Sequence, residues 1–143
     1  MEMIVKHFKE LTCTELYEIL KARSAVFVVE QKCPYQDIDG IDYASVHMFY
    51  WQNNTIIAYL RVFYKEPDVL QIGRVLTVRR GKGFGGKLLH EALQEIRENM
   101  PCRKIYLEAQ SYATGFYERE GFRIVSDEFL EDGIPHRRME RII

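Results

Sequence analysis

Cysteine is scarce in this chain of 143 residues and badly spaced for joint work. Cys13, Cys33 and Cys102 are an odd number at wide separations, so they read neither as a disulfide framework nor as a metal-ligand set. No metal is expected, and a reducing, cytoplasmic setting is the default. Long hydrophobic runs are lacking: no apolar segment approaches the roughly 20 residues that span a bilayer, and the opening "MEMIVKHFKEL" carries no signal-peptide core. Neither sign of charge dominates. The 20 Lys and Arg against 21 Asp and Glu give a formal net charge of -1, which leaves no electrostatic footprint for nucleic acid or a membrane surface. Glycine is also sparse, except that four of the nine lie within residues 81 to 86. Such a cluster implies one place where the backbone itself has a task.

What is present is enough apolar residue, 47% against 29% charged, for a soluble globular fold. The length suits a single domain covering 1-143. Thr12 and Glu15 form a capping-box pattern, followed by Leu16, Ile19, Leu20 and Phe27 near one helix face, with the helix ending around Val26 to Val29. "KCPYQDIDGIDY" reads as an ordered loop. "HMFYW", the Asn53-Asn54 turn, "TIIAYLRVFY", the Pro67-Asp68 turn and "VLQIGRVLTV" predict three neighbouring antiparallel strands. Phe84, Leu88, Leu89, Ala92, Leu93 and Ile96 then recur at helical spacing, and Pro101 prevents continuation. "KIYLEA" predicts a buried strand, "GFYERE" a short helix ended by Gly121, and "FRIVS" and "HRRMERII" two final strands. The expected class is α/β (α+β), with a mixed, mostly antiparallel sheet flanked by helices.

The glycine cluster, "RRGKGFGGKLL", sits between a predicted strand and an amphipathic helix. A helix start leaves backbone N–H groups unpaired and partly positive, and glycines let phosphate oxygens reach them. Three phosphate signatures overlap there. The P-loop reading fails because its lysine needs a following Ser or Thr for magnesium, and position 88 is Leu on the helix's apolar face. The dinucleotide reading has Glu108 about twenty residues on, but that fold begins with its glycine loop and repeats the strand–helix unit. Here three antiparallel strands come first. The third signature, Arg80-x-x-Gly83-x-Gly85, explains more of the chain.

Arg80-x-x-Gly83-x-Gly85 resembles the acyl-CoA loop of the GNAT N-acyltransferase superfamily, and Ala113-x-x-Phe116-Tyr117-Glu118-x-x-Gly121-Phe122 resembles its second landmark. "VFVVEQKCPYQDIDGID", "LEAQSYATGFYEREGF" and "EDGIPHRRM" resemble the ElaA-like and YjcF-like bacterial members, from about Arg23 to Met139. One departure is Gln110, where many members have Asn three residues before the landmark Ala. The resemblance implies a GNAT fold and direct transfer of an acetyl group from acetyl-CoA, as co-substrate, to an amine of a small molecule, protein or peptide. It leaves homodimerisation open. A non-catalytic acyl-CoA-binding or sensing module is the alternative.

The resemblance also implies a site. Backbone groups across Arg80, Gly81, Lys82, Gly83, Phe84, Gly85, Gly86 and Lys87 would hold the pyrophosphate, and Leu76, Thr77 and Val78 the pantetheine arm. Gln110, Ala113 and Phe116 complete the cofactor set, and a backbone N–H near Leu76 would stabilise charge on the thioester oxygen. Tyr117 matches the residue that protonates the leaving sulfur. For the base, Glu30, His47, Glu108 and His136 are all candidates, with His136 favoured by its titration range and its place in "GIPHRRM". Glu30, Asp37, Asp39 and Asp42 could draw a cationic amine, although a solvated acidic loop explains them equally well.

Overall fold

A computed structural model describes all 143 residues. Its centre is one sheet of eight strands: β1 (Ile4–His7), β2 (Val46–Gln52), β3 (Thr55–Glu66), β4 (Val69–Thr77), β5 (Lys104–Gln110), β6 (Arg123–Ile124), β7 (Phe129–Glu131) and β8 (Ile134–Ile142). The order is β1-β2-β3-β4-β5-β8-β6, with β7 hairpinned onto β8. All pairings are antiparallel except β4 with β5, where a helix makes the crossover. The helices are α1 (Cys13–Arg23), α2 (Phe84–Asn99) and α3 (Thr114–Glu118).

Local chemistry accounts for most of these elements. Thr12 and Glu15 close a reciprocal capping box at the start of α1, each side chain taking the other's backbone N–H. Asn53 and Asn54 both adopt left-handed backbone, as a two-residue turn matched to sheet twist requires. Leu88, Leu89, Ala92, Leu93 and Ile96 of α2 bury against β2, β3 and β4 in the larger core. A smaller core lies on the opposite face, where Ile19 and Ala22 of α1 meet Phe49, Ile56, Tyr59 and Leu76. The sheet is therefore covered by α2 on one side and α1 on the other.

Two expectations need correction, and the first strand was not foreseen. The segment "MEMIVKHFKEL" contains an edge strand, β1, whose four residues pair with Val46–Phe49. So short an edge element takes its order from its neighbour and shows no alternation of its own. The first helix does not end as one regular helix: α1 stops at Arg23 and continues as a wider π-helical turn over Ser24–Glu30. "FRIVS" shrinks to a two-residue strand, while Phe129–Glu131 forms the unforeseen β7. The turn into β8 uses Asp132 and Gly133, both left-handed.

Candidate active site

The parallel pair at the centre of the sheet holds for only three residues. Val69, Leu70 and Gln71 pair with Lys104, Ile105 and Tyr106, and beyond them β4 and β5 share no bridge. β4 stays on β3 and β5 stays on β8. The two strands therefore separate, leaving unpaired backbone edges along Ile72–Thr77 and Leu107–Gln110. An irregularity in the β3–β4 register, between Gly73 and Leu76, places Arg74 in left-handed backbone with φ of 55° beside this opening.

The glycine loop lies at the wide end. Gly81 and Gly83 have φ of 77° and 75°, a region that costs other residues strain, and Gly83 is the N-cap of α2 without any side-chain cap. The first internal bond of α2 is donated by Lys87 to the Gly83 carbonyl, so the N–H groups of Phe84, Gly85 and Gly86 have no acceptor within the chain. They face a cavity of about 340 Å³ lined by Thr77, Arg79, Arg80, Phe84, Phe116 and Arg119, among others. A Cβ on Gly85 would sit 3.1 Å from Thr77 Cγ2 and 3.8 Å from the Phe116 ring. Close approach of backbone, free donors and surrounding cations together fit a pyrophosphate. Lys82 is exposed, and Lys87 turns its ammonium 5.7 Å from the Tyr50 ring centroid.

Arg80 is paired with Glu30 across the mouth of this cavity, a half-exposed contact that holds the Glu30 carboxyl below its ordinary pKa. Both residues line a second cavity of about 320 Å³, on the α1 side, which has Val78 as a further wall and shares Arg80 and Thr77 with the first.

Tyr117, on α3, is 8% exposed and packs edge-on against Phe116 and Phe122. Burial pushes its hydroxyl above the ordinary tyrosine value, with nearby Tyr112 adding to the effect. No side-chain hydrogen bond within the chain involves this hydroxyl; the sealed polar atoms without a hydrogen bond are elsewhere, Arg61 Nε and Arg74 Nε, the latter 2.9 Å from Asp37 Oδ1 in an ion pair. The hydroxyl is a protonated donor without a protein partner. Phe116 bridges to the loop, with its ring near Gly85 and Gly86, while Ala113 packs at the edge of the larger core.

The far wall is built by β5 and β8. Leu107, Ala109 and Met139 point into the α2 core, so Tyr106, Glu108 and Gln110 point to the opposite face, beside Arg138 and His136. Gln110 Nε2 donates to Gln31 Oε1 at 3.2 Å, tying the end of β5 to the loop after the π-helical turn. Cys33 is buried and places its Sγ 3.5 Å from the Asp132 carbonyl, joining that loop to the β7–β8 hairpin. His136 is buried; its Nδ1 donates to the Ile134 carbonyl at 2.7 Å, which leaves Nε2 as the basic nitrogen.

The acidic loop is arranged differently from expectation. Asp37, Asp39 and Asp42 do not present open charge to a pocket, because each is paired with arginine. Arg23 binds Asp37 and Asp42, Arg61 binds Asp39 and Asp42, and Arg74 binds Asp37 and Asp39. Burial alone would raise the Asp39 carboxyl, but hydrogen bonds from Arg61 and the Ile41 N–H outweigh it and hold the pKa at about 2. His47 is fully buried in the same network, with Nδ1 accepting from Tyr59 and Nε2 donating to the Asp42 carbonyl. Both of its nitrogens are engaged, so it does not reach the opening. Reading the sequence missed Gln31, Arg74 and Glu131. Only Glu131 had a local signal, the Asp-Gly turn that follows it and sets a hairpin.

A split parallel pair, a glycine-capped helix with free donors and an unpaired buried tyrosine define an acyl-CoA-binding acyltransferase architecture. A family model described as an acetyltransferase (GNAT) domain matches residues 12–143. The chain belongs to the GNAT acetyltransferase family, whose members use acetyl-CoA. It is 40% identical to the protein ElaA of Escherichia coli over 141 residues, covering 94% of this chain and 92% of ElaA. The crystal structure of ElaA superposes with a TM-score of 0.92 over 99% of both chains. An acyl-CoA N-acyltransferase from Pseudomonas aeruginosa is 39% identical, also with a TM-score of 0.92 and 99% of each chain covered. A GNAT acetyltransferase from Elizabethkingia anophelis, solved with acetyl-CoA bound, shares the fold at 16% identity and a TM-score of 0.66, covering 99% of this chain and 98% of that one.

Proposed function

We propose that this protein transfers the acetyl group of acetyl-CoA directly to an amine, with no acyl-enzyme. The observation that carries the reading is the β4–β5 opening with the three unpaired N–H groups of α2 at its end. When bound, acetyl-CoA supplies an activated acyl carbon. The pyrophosphate is received by backbone N–H groups of the Arg80–Lys87 loop, with Arg80 released from Glu30 to meet it. The edge of β4 at Leu76 and Thr77, with Val78 just beyond it, pairs with the peptide-like pantetheine arm, and Gln110, Ala113 and Phe116 close the other side. A backbone N–H beside the Arg74 irregularity stabilises developing charge on the thioester oxygen.

Tyr117 donates a proton to the departing sulfur, which its raised pKa and lack of a protein partner support. His136 accepts the proton lost by the amine through Nε2, which the Nδ1 bond to Ile134 leaves basic and which has Glu131 Oε2 3.4 Å away. Asp37 and Asp39 act by fixing the loop rather than by meeting the acceptor's charge. Glu30, freed when Arg80 turns to phosphate, joins Glu18 as an acidic side chain lining the α1-side cavity. The acceptor is a small-molecule, protein or peptide amine, and the setting is cytoplasmic.

Calorimetric titration with acetyl-CoA, with ATP and NAD in parallel, tests the reading. Selective acetyl-CoA binding, followed by release of free CoA with members of an amine panel, is expected. Binding of ATP or NAD in its place would end the proposal.

A further inference from the structure

Arg80 stands in the walls of both cavities, the one that fits phosphate and the one on the α1 side. Its guanidinium is already engaged. Nη2 donates to Glu30 Oε2 at 3.0 Å and Nη1 donates to Glu30 Oε1, so both terminal nitrogens are held by one carboxylate. Glu30 closes the π-helical turn Ser24–Glu30, a wider geometry that recurs in single turns at functional sites. It lines the α1-side cavity and not the phosphate cavity. The cation of this pair therefore belongs to two sites and the anion to one.

The charged groups around the α1-side cavity are Glu18, Glu30, Lys21 and Arg80, two of each sign. Lys21 Nζ lies 3.9 Å from Glu18 Oε2, and Arg80 takes Glu30, so each acid has a cation. Phosphate gripped at two points by a guanidinium needs the same fork of donors that a carboxylate does. Arg80 cannot give its terminal nitrogens to both. Glu30 has no other side-chain hydrogen bond to fall back on. With Arg80 drawn to phosphate, the cavity walls keep Glu18, Glu30 and Lys21 and become net negative.

We propose that Glu30 and the cofactor's phosphate compete for Arg80, so that acetyl-CoA binding uncovers Glu30 to receive the second positive charge of a diamine-like acceptor, which enters after the cofactor. This rests on the amine-acetylation reading and names its acceptor class and binding order. The nitrogen that attacks must be neutral, so the charge met by Glu30 is a further one, carried at a distance on the acceptor. Ala22, Val26 and Ile56 supply apolar wall for the alkyl stretch between the two nitrogens. In the free protein Arg80 occupies the place of that cation, and the acceptor is held off until the cofactor arrives. Such coupling is reciprocal: the diamine must tighten the cofactor by the factor by which the cofactor tightens the diamine. Both members of the pair are half-exposed, which keeps the factor small and leaves the fold independent of it.

The test is calorimetric and needs no turnover. In Glu30→Gln, CoA should bind roughly two- to fivefold more tightly than in the unaltered protein, the scale of an exposed ion pair, with Tm unchanged. In an Arg80→Ala background the same substitution should bring no gain. Unchanged affinity in Glu30→Gln overturns the competition. An equal gain in the Arg80→Ala background also overturns it, since only the removal of a negative charge would then be at work. The acceptor class is read with an alkyl diamine and the monoamine of equal chain length, each titrated with and without saturating CoA. The diamine alone should gain from CoA, by the same roughly two- to fivefold, and should lose that gain in Glu30→Gln. A diamine that does not bind, that binds equally without CoA, or whose gain survives Glu30→Gln overturns the proposal, as does an equal gain for the monoamine. Failure of the unaltered protein to bind acetyl-CoA would instead strike the amine-acetylation reading itself.

Discussion

Arg23 Nη1 donates to Asp42 Oδ1 at 2.6 Å with the guanidinium wholly buried. This one contact joins the end of α1 to the acidic loop, and Arg23 strengthens it through Nε to Asp37 Oδ2 at 3.0 Å and Nη2 to the Asp37 carbonyl at 2.8 Å. Arg61 and Arg74 extend the lattice to the β3–β4 region, so the loop and the strand irregularity at Arg74 are fixed as one unit. Removing one member of such a buried pair leaves charge without a partner, at a cost of about 3–5 kcal/mol. Arg23→Ala should therefore lose stability on that scale in urea denaturation. Arg23→Lys, which keeps charge but not the fork of donors, should fall between it and the unaltered protein. Equal stability of all three would show that the lattice contributes nothing.

Acid should weaken this same lattice in two windows. Burial depresses the His47 pKa, because the ring is neutral while it accepts from Tyr59. A depressed folded pKa means stability is complete above the unfolded value, near 6.5, and declines as pH falls below it. For Asp42 and Asp39 burial works against the charged form, but the arginines prevail and hold both low, Asp39 at about 2. Their contribution is complete above roughly pH 4 and is lost as pH falls toward 2. Denaturation midpoints at pH 7.5, 5 and 3 should decline in that order. His47→Gln should flatten the first interval and leave the second unchanged.

What could be read beforehand divides by range. The α1 cap at Thr12 and Glu15, the Asn53–Asn54 turn, the three central strands and the periodicity of α2 all depend on neighbours close in sequence, and each was legible. The loop at Arg80 to Lys87 was legible as a glycine-rich helix start because its pattern is short and local. The aspartates were legible as charge but not as partners, since Arg23, Arg61 and Arg74 are brought to them only by the fold. The same holds for Gln31, which the fold brings to Gln110 at the end of β5. β1 was illegible for another reason: an edge strand of four residues carries too little pattern to announce itself.

Gly83 and Gly85 should fail differently. At Gly83 a Cβ meets nothing within 4 Å, so its requirement is the φ of 75° alone. Gly83→Ala should cost about 1–2 kcal/mol of backbone strain and weaken acetyl-CoA binding by displacing the free N–H groups. At Gly85 the backbone is ordinary, and the added Cβ would press on Thr77 Cγ2 at 3.1 Å. Adding Thr77→Ser removes that methyl, so the Gly85→Ala, Thr77→Ser double variant should regain stability that Gly85→Ala alone loses. Thr77→Ser in a Gly83→Ala background should rescue nothing. Thermal denaturation of the four proteins decides this, and rescue in both backgrounds would refute the steric account.

Tyr117→Phe separates transfer from mere binding. The hydroxyl makes no side-chain hydrogen bond within the chain, and the ring is held by Phe116 and Phe122 at centroid distances of 5.0 and 6.1 Å. Loss of the oxygen should therefore leave packing and Tm nearly unchanged, and acetyl-CoA affinity should stay the same. Turnover should fall by about 10²–10⁴, the range expected when a positioned proton donor is removed. The loss should shrink when an acyl donor with a more acidic thiol replaces acetyl-CoA, because a better leaving group needs less help from the donor. A pantetheine analogue of that kind supplies the measurement. Unchanged turnover with acetyl-CoA would leave Tyr117 as a packing residue and return the sulfur's proton to solvent.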